Sequence, residues 1–568
     1  MLLLRDRATR IAGMPAFAVA ALGGAVFAVC AWASYRRHLH VDEISGLYAI
    51  QLGAAFGHPE YGSIELSNVL FRPLASWLGS AERLFVGFRV LELALLFGLC
   101  ASISLVQRAL PSALGRAGVF LGAVSFGPLW RHGFELRHDM FVAYAVVLLA
   151  WAGERARADR LDLWAASVTA FGAIIAQANS LKAFTIWVPG LSLCALLAAR
   201  GKRPRLASVV SIGSRFLPGV LAGCALVALL LGSAGMLGEF WRQLRHFASY
   251  SSAPPYRLSA LPLLTFSVER APVHAGFVLI GLLGVARRLA VREPLDEAWV
   301  PLAACVLSGC SILLNPTPFP YNLTWLSPAW LVMSAFGLSQ SLNFVARART
   351  GAAPLVACAS GAFSLFFFWR CEQDPYYRKD WEAQLRVIAS AEALTSPDDP
   401  VLDLTGLVVS RPPVAKDWVV HSLFMPAYRA GERETVRSII ERVAPPVAVS
   451  SYRWSFLDRA DWLAFRRDYL RFSDDIWVLG RFVAPNAVEL QIPRTGRYRV
   501  RGSDEAGSID GQPVRNGAVC LLTRGSHPTI TLEGYTLTWV GPGSPGAPPP
   551  AARPLFVPGE LPRQRDDR

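Results

Sequence analysis

Charged residues are scarce in this chain of 568 residues: Asp, Glu, Lys and Arg together make up 17% of it. Residues with hydrophobic side chains make up 53%, and the mean hydropathy is +0.35. A soluble chain of this length surrounds its apolar core with a larger charged surface, so this composition excludes an ordinary soluble protein. It predicts a polytopic membrane protein.

Lysine is rarer still, with four lysines among the 56 basic residues. The formal net charge is +14, but the basic residues are spread over loops between apolar segments and over the C-terminal part of the chain. Binding to nucleic acid requires a basic patch with interleaved aromatic residues, and the sequence has none. We therefore expect no nucleic-acid partner and interpret the charges as topology signals.

Cysteine motifs are also missing. None of the nine cysteines belongs to a CxxC pair or has the spacing of a zinc site. Seven fall inside apolar segments, where a cysteine normally packs as a small buried apolar residue. Cys371 and Cys520 are the two that we predict outside the membrane, where an oxidising compartment permits a disulfide between them. Two free thiols are the alternative.

Apolar runs recur along the first 370 residues, at about the 17 to 25 residues that a spanning helix needs. The first is longer than the apolar core of a signal peptide, so we expect it to remain as an anchor. We predict about eleven transmembrane helices: Gly13–Ser34, Leu84–Gln107, Arg116–Trp130, Asp139–Ala152, Leu163–Ala178, Ala183–Ala199, Ser214–Gly235, Pro272–Ala286, Ala298–Leu314, Tyr321–Gly337 and Ala353–Trp369.

The orientation follows from the basic loops. Basic residues cluster after the predicted sixth, eighth and tenth spans, at residues 200–205, 287–292 and 347–349. The positive-inside rule places these loops, and the N-terminus with them, in the cytoplasm. The first loop then lies outside, and an odd number of spans places everything after Trp369 outside as well. We expect a multi-pass protein of the cytoplasmic (inner) membrane with an extracytoplasmic C-terminal domain.

Four parts are predicted along the chain: a membrane domain at 1–370, an extracytoplasmic α/β subdomain at 371–480, a small antiparallel β unit at 481–540 and a disordered tail at 541–568. In the second part we predict a helix at Trp381–Ala393 and strands at Val401–Leu404, Val447–Ser450 and Ile476–Val478. In the third, strands are predicted at Val488–Ile492, Tyr498–Arg501, Ala518–Leu522 and Ile530–Leu532, with a turn at Asp510-Gly511. The tail is rich in Gly and Pro.

Polar residues recur at the predicted outer ends of the spans, where an ionisable side chain is by default a functional-site candidate. The segments that carry them are Asp42-Glu43, Phe71-Arg72-Pro73-Leu74, Arg137-His138-Asp139-Met140, Ser180-Leu181-Lys182-Ala183 and Pro320-Tyr321-Asn322-Leu323 with Pro328. In their order and shared membrane face, these segments resemble the GT-C fold of lipid-phosphate-sugar-dependent glycosyltransferases, the group of protein O-mannosyltransferases and the lipid A aminoarabinose transferase. The resemblance covers roughly residues 10–370.

The chain departs from the family pattern at three places. Arg72-Pro73-Leu74 stands where the family commonly has a lysine before two prolines. Leu181-Lys182-Ala183 stands where the family has Thr-Lys-Gly. Asn322 and Thr324 follow Tyr321, at positions where a proline is common in the family. No charge that the mechanism needs is lost, so the departures leave the reaction intact and the donor sugar open.

The resemblance implies a membrane glycosyltransferase of the inverting type. It would transfer a hexose or pentose from a polyprenyl-phosphate carrier to a hydroxyl acceptor, which is a glycolipid, an envelope polysaccharide or a protein. The residues suit this chemistry, because a carboxylate within hydrogen-bond reach deprotonates a hydroxyl. Asp42 and Asp139 are the candidates for catalysis, and a helix N-cap is the alternative role for each. Glu43 orients the acceptor or a metal, or is an ordinary first-turn acid.

The cations suit the donor phosphate, on which negative charge builds as it leaves. Arg72 and Lys182 are the candidates, with Arg137 beside Asp139 and Tyr321 as further substrate-binding residues. The alternatives are interfacial snorkelling for Arg72 and the aromatic belt for Tyr321.

No cofactor is required by the sequence. His38, His40 and His138 offer ligands for a divalent cation together with the acids, but no spacing specifies a metal site. The partners expected are the lipid-linked donor, the hydroxyl acceptor and the bilayer. Two other functions compete: a transporter or lipid-carrier flippase, and a non-catalytic envelope-assembly protein with the same fold. Transporters usually carry repeated halves, and this sequence shows no internal repeat.

Overall fold

The structure is a computed structural model, and it describes residues 2–37, 43–44, 46–47, 50, 66–106, 113–135, 137–180, 183–199, 206–238, 240–242, 245, 265, 267–314, 322–348, 352–372, 381–415, 428–502, 504 and 507–541. By its internal contacts the chain forms two compact units. The first comprises residues 1–37, 64–71 and 86–378, and the second comprises residues 38–63, 72–85 and 379–568. The predicted tail lies outside the described residues, apart from residue 541.

Among the described residues up to 372, the regular secondary structure is helical. Its helices are α1 Leu2–Tyr35, α2 Leu66–Leu70, α3 Arg72–Leu78, α4 Ala81–Val106, α5 Ala113–Val124, α6 Leu129–His132, α7 Asp139–Arg157, α8 Leu163–Asn179, α9 Phe184–Ala199, α10 Leu206–Gly213, α11 Leu217–Ser233, α12 Pro272–Ala290, α13 Trp299–Leu314, α14 Leu323–Ala348 and α15 Ala352–Glu372. Helix α7 packs against α8, α9, α13 and α14 and is the central helix of the first unit.

Five helical segments in the described part are long and apolar enough to cross a membrane: Ala16–Tyr35, Glu82–Val106, Val209–Ser233, Pro272–Ala290 and Asp296–Leu313. Three shorter apolar helices accompany them, at Gly115–Val124, Leu163–Asn179 and Phe184–Ala199. Large apolar side chains on these helices are exposed, as lipid-facing residues are: Phe17 is 77% exposed and Leu105 is 73% exposed. The chain is a multi-pass membrane protein, and the count of eleven spans stays a prediction.

The helices of the first unit approach one another closely at glycines. A Cβ atom on Gly337 of α14 would lie 1.8 Å from the carbonyl oxygen of Phe277 in α12. A Cβ atom on Gly219 of α11 would lie 1.9 Å from the carbonyl oxygen of Ser167 in α8. Small residues that let two backbones touch are the usual device of membrane helix packing, because lipid gives apolar side chains no reason to associate.

The second unit contains helices α16 Trp381–Ala393, α17 Val436–Val443 and α18 Arg459–Asp468 and two sheets. The strands are β1 Val401–Asp403, β2 Val447–Val449, β3 Tyr469–Arg471, β4 Ile476–Val483, β5 Glu489–Ile492, β6 Gly496–Arg501, β7 Gly507–Ile509, β8 Gln512–Val514, β9 Val519–Leu522, β10 Gly525–Thr531 and β11 Tyr535–Trp539. One sheet has the order β1-β2-β4-β11-β6-β9, with β3 also paired to β4, and the other has the order β5-β10-β7-β8.

The secondary structure predicted for this region is largely confirmed. Helix α16 has the predicted bounds, and strands lie at each predicted position. Asp510 and Gly511 have φ of 52° and 74° and join β7 to β8, as a two-residue hairpin turn requires. Strand β4 runs across residues 480 and 481, where we predicted a boundary, and pairs with β2 on one side and β11 on the other. Cys520 is free in the structure, which favours two thiols over a bridge.

One histidine in this unit lies between two acceptors. Nδ1 of His527 lies 2.6 Å from Asp510 Oδ2, and Nε2 lies 2.7 Å from the carbonyl oxygen of Thr523. A neutral imidazole has one N–H, so only the protonated ring donates to both acceptors at once. Burial lowers the pKa of His527, but the hydrogen bonds to Thr523 and to the Asp510 carboxylate outweigh it, and the pKa is raised above 6.5.

We expect the sheet around β10 to be more stable in mild acid than in mild base. Because the pKa of His527 is higher in the folded state, its stabilisation is complete below pH 6.5 and is lost as the pH rises through the folded-state pKa. Hydrogen exchange of β10 amides in the full-length protein, corrected for the intrinsic rate, should show larger opening free energies at about pH 5.5 than at about pH 8.5. The His527→Gln variant should lose this difference; an unchanged difference would remove His527 as its cause.

Candidate active site

A short loop in the first unit carries the charged residues of the candidate site. The predicted third span is divided here: α5 ends at Val124 and α6 begins at Leu129, with Gly127 and Pro128 between them. The indole Nε1 of Trp130 donates to the carbonyl oxygen of Val124 at 2.6 Å and satisfies an acceptor that the end of α5 leaves open. Residues 133–138 then lead into α7 at Asp139.

The central contact is a buried ion pair. Nε of Arg137 donates to Oδ2 of Asp139 across 3.1 Å, and the two side chains are 6% and 1% exposed. Asp139 is the first residue of α7, and its N-cap is His138, whose side chain makes no capping hydrogen bond. The N-cap role considered for Asp139 is therefore not its role in the structure. Oδ1 of Asp139 accepts no hydrogen bond from the described residues and lies 3.8 Å from His138 Nε2.

Glu135 extends this pair into a chain of charges. Its two carboxylate oxygens lie 3.0 and 2.9 Å from Nδ1 of His132, and Oε2 lies 3.9 Å from a guanidinium nitrogen of Arg137. All of these side chains are buried. Charges removed from water persist only when they are paired, so this chain fixes the position of the Arg137 guanidinium.

Two further guanidinium groups lie over the ring of Phe134, in the same loop. The Cζ atoms of Arg37 and Arg89 are 5.1 and 4.8 Å from the centroid of that ring, which is within the range of a cation–π contact. Arg37 also donates to the carbonyl oxygen of Trp130, and Arg89 donates to the carbonyl oxygen of Ser34 at 2.8 Å. Arg37, Arg89 and Arg137 thus lie at the loop, together with the carboxylates of Glu135 and Asp139, and Glu92 is buried one turn along α4 from Arg89.

The structure brings together two of the seven predicted site residues, Arg137 and Asp139. Glu43 is helical and buried, and Arg72 is the first residue of α3 and is half-buried. Both belong to the second unit, whereas the ion pair belongs to the first. Asp42, Lys182 and Tyr321 lie outside the described residues, and their assigned positions stay predictions.

The chain neighbours of these residues do converge within the first unit. Met140, Ala183 and Leu323 belong to one hydrophobic core cluster, together with Phe134 of the loop. Met140 follows Asp139, Ala183 follows the Leu181-Lys182 pair, and Leu323 begins α14. Helices α9 and α14 both pack against α7. The first residues of α9 and α14 thus lie in the same cluster as the first turn of α7.

Phe71, from the Phe71-Arg72 motif, packs into the same unit. Its ring centroid lies 5.5 Å from that of Phe88 in α4 and 6.3 Å from that of Phe141 in α7. Phe141 is two residues beyond Asp139. The motif is therefore tied to the first turn of α7 through its phenylalanine.

The end of α8 is fixed by a polar side chain. Oδ1 of Asn179 accepts from the backbone N–H of Ser67 at 2.8 Å, and this bond ties α2 to α8. The backbone N–H of Ala183 donates to the carbonyl oxygen of Ser180 at 3.0 Å and closes the turn into α9. Asn179, Ser180 and Ala183, on either side of the predicted phosphate-binding residue Lys182, are thus held by hydrogen bonds, and Lys182 itself lies outside the described residues.

Sequence reasoning missed Glu135, His132, Arg37 and Arg89. Arg89 carried a usable signal, because it is an ionisable residue inside the predicted second span, and such residues are functional candidates by default. The i, i+3 spacing of His132 and Glu135 was a weaker signal. Among the described residues there is no group of three or more His, Cys, Asp or Glu that could hold a metal ion. His38 and His40, considered as ligands, lie outside those residues.

No protein-family model matches the sequence, and no curated protein matches it. Solved structures do match. ArnT from Cupriavidus metallidurans, in the apo state, has a TM-score of 0.56 and 13% identity, and the match covers 81% of this chain and 97% of ArnT. The archaeal oligosaccharyltransferase AglB from Archaeoglobus fulgidus, in complex with an inhibitory peptide and a dolichol-phosphate, has a TM-score of 0.47 and 12% identity, with 88% and 74% of the two chains covered.

ArnT and AglB are membrane glycosyltransferases of the GT-C fold. The likeness to ArnT extends over almost the whole of that chain, at an identity that establishes fold alone. The protein described here has the GT-C fold, as its polar motifs predicted.

Proposed function

We propose that this protein is an inverting glycosyltransferase that moves a hexose or pentose from a polyprenyl-phosphate carrier to a hydroxyl acceptor. The observation that carries the proposal is the buried Arg137–Asp139 pair at the start of the central helix of a GT-C fold. A buried ion pair at the end of a membrane helix is expensive to maintain and marks function. The site would lie at the outer face of the cytoplasmic membrane, with the C-terminal domain extracytoplasmic.

Asp42 acts in this proposal as the general base that removes the acceptor proton, and Glu43 orients the acceptor. The hydroxyl oxygen then forms a bond to the anomeric carbon while the bond from that carbon to the carrier phosphate breaks. Asp139 holds the Arg137 guanidinium through one oxygen, and its other oxygen offers a hydrogen-bond acceptor to a sugar hydroxyl. A base and a leaving group on opposite sides of the anomeric carbon invert its configuration.

Arg72, Lys182 and Tyr321 bind the departing phosphate in this proposal. Three guanidinium groups, those of Arg37, Arg89 and Arg137, lie at the loop of the first unit and would attract an anion. The N-termini of α7, α9 and α14 add the positive ends of three helix dipoles. A preorganised cation lowers the barrier because it stabilises the negative charge that develops on the phosphate.

A small apolar cleft of about 40 Å³ lies between α7, α9 and α13. Val146, Gly190 and Val300 are among the residues that line it. Val146 lies seven residues along α7 from Asp139, a rise of about 10 Å. The cleft is too small for a prenyl chain, so the chain would lie in the bilayer beside these helices while its phosphate meets the cations at the helix ends.

Supplying the purified protein in nanodiscs with a panel of polyprenyl-phosphate sugars tests the proposal directly. We expect one donor to release its sugar slowly to water and to transfer it faster to an added acceptor. Nuclear magnetic resonance should show that the anomeric configuration of the transferred sugar is inverted relative to the donor. The Arg137→Gln/Asp139→Asn variant should release less sugar from the same donor. A flippase would be favoured by two results together. Neither the unsubstituted protein nor the variant would release sugar from any donor, and the intact donor would move between the leaflets of proteoliposomes.

A further inference from the structure

In the larger sheet of the second unit, one face of strands β4, β11, β6 and β9 carries only arginine, aliphatic, aromatic and threonine side chains. The sheet register aligns Arg499 with Val519 and Arg497 with Leu521 on this face. It also aligns Arg501 with Thr536, which in turn pairs with Phe482. We call this surface, formed by Arg497, Arg499, Arg501, Val519, Leu521 and Phe482, the arginine face. The opposite face of these strands faces the interior of the unit, where Tyr498 and Val500 are buried.

The arginine face is open and strongly basic. Leu521 is 74% exposed, Phe482 is 58% exposed and Val519 is 47% exposed, and the arginines are exposed or half-exposed. The four strands β4, β11, β6 and β9 contain no Asp or Glu. The guanidinium groups of these three arginines form no hydrogen bond or ion pair with the described residues, unlike that of Arg494, which pairs with Asp399 at 2.6 Å. Their charge is therefore available to a partner.

We propose that the arginine face docks on the surface of an anionic phospholipid bilayer. Interfacial segments combine apolar side chains, which enter the boundary of the acyl region, with cations that contact the headgroup phosphates. Residues two apart on a strand are about 6.6 Å apart, so the arginines spread over about 13 Å with Leu521 and Val519 beside them. This mixture fits a membrane surface better than a soluble polyanion, for which exposed leucine and phenylalanine add nothing.

Chain connectivity favours the same partner. Membrane helices of the same chain hold the second unit near a bilayer at all times, so even a weak surface contact is strongly populated. A second copy of the face is a poor partner, because pairing two of them would bring six guanidinium groups together. The inference is independent of the glycosyltransferase proposal, since it concerns neither the loop around Asp139 nor the chemistry assigned to it.

Photo-crosslinking in the full-length protein tests the docking. Benzoylphenylalanine replaces Leu521 in one variant and, as a matched control, Ile530 in another, because Ile530 is 67% exposed on the outward face of the other sheet. Each variant is reconstituted in phosphatidylcholine nanodiscs with or without phosphatidylglycerol, and lipid adducts are measured by mass spectrometry. We expect at least about tenfold more adduct at position 521 than at position 530, and more adduct with phosphatidylglycerol present. Each arginine near an anionic surface contributes roughly fivefold.

The triple variant Arg497→Gln/Arg499→Gln/Arg501→Gln should lose most of the adduct, whereas the matching triple Lys variant should keep it, because the attraction depends on charge. Raising the salt concentration should lower the yield without any arginine substitution, so the test stands even if the triple Gln variant fails to fold. Equal lipid adducts at the two positions would overturn the proposal. The proposal would also be overturned if, in native membranes, the adducts at position 521 consisted of protein or polysaccharide and not of lipid.

Discussion

The Asp42→Asn variant is expected to retain its fold and to lose turnover by about two to four orders of magnitude. Asparagine keeps the size and shape of the side chain but cannot accept the acceptor's proton at neutral pH. If Asp42 is the general base, donor affinity should change little, because the donor phosphate is bound by cations. Single-turnover rates and donor affinity of the purified variant in nanodiscs measure the two quantities separately.

The matched control for this variant is Asp296→Asn. Asp296 is an exposed acid in a short 3-10 turn before α13, and nothing assigns it to the site. Both variants remove one negative charge, so an effect of net charge alone would appear in both. Near-normal turnover of Asp42→Asn, in protein with an unchanged unfolding midpoint, would transfer the role of base to Glu43 or Asp139.

The membrane class of the chain could be predicted because a bilayer imposes a length and a composition on any helix that crosses it. Where a helix continues beyond the bilayer, hydropathy no longer marks its end. The predicted tenth span ended at Gly337, yet α14 continues to Ala348 through a polar segment. The division of the third span into α5 and α6 had a visible cause in Gly127-Pro128, which the overall apolarity of the run concealed.

In the second unit, the sequence pattern predicted seven of the eleven strands and missed β3, β7, β8 and β11. In β11, Tyr535, Leu537 and Trp539 alternate with threonines. This strand lies between β4 and β6 and joins the regions that we assigned to two subdomains. Which strands become neighbours depends on pairings between residues far apart in sequence, and local patterns carry no information about them.

The candidate site could be predicted as a set of residue types, but not as a set of contacts. Asp139 was singled out as an acid that opens a span, and its partner Arg137 was two residues away. The pairing itself depends on the loop conformation between α6 and α7. Glu135 and Arg89 entered only with the structure, because their contacts join segments that are separate in sequence or hidden within an apolar run.

Removing either partner of the Arg137–Asp139 pair is expected to lower both stability and activity. A single Arg137→Gln or Asp139→Asn substitution leaves one buried charge without its partner and should cost about 3 kcal/mol or more. The misplaced site should also lose about a hundredfold in turnover. Thermal unfolding followed by tryptophan fluorescence and turnover with the identified donor measure the two effects.

The double variant Arg137→Gln/Asp139→Asn separates the two roles, because neutralising both partners removes the uncompensated charge. The double variant should regain most of the stability that the single variants lose, and the coupling energy between the two positions should exceed about 1 kcal/mol. Its turnover should stay low, since neither the guanidinium nor the carboxylate is restored. The matched control is the pair Arg155–Asp162 in the same unit, 2.7 Å apart but with Asp162 54% exposed. The corresponding variants of this pair should lose little stability and no activity, because solvent screens an exposed pair. Recovery of turnover together with stability in the Arg137/Asp139 double variant would assign the pair to folding alone and leave the chemistry to Asp42 and the cations.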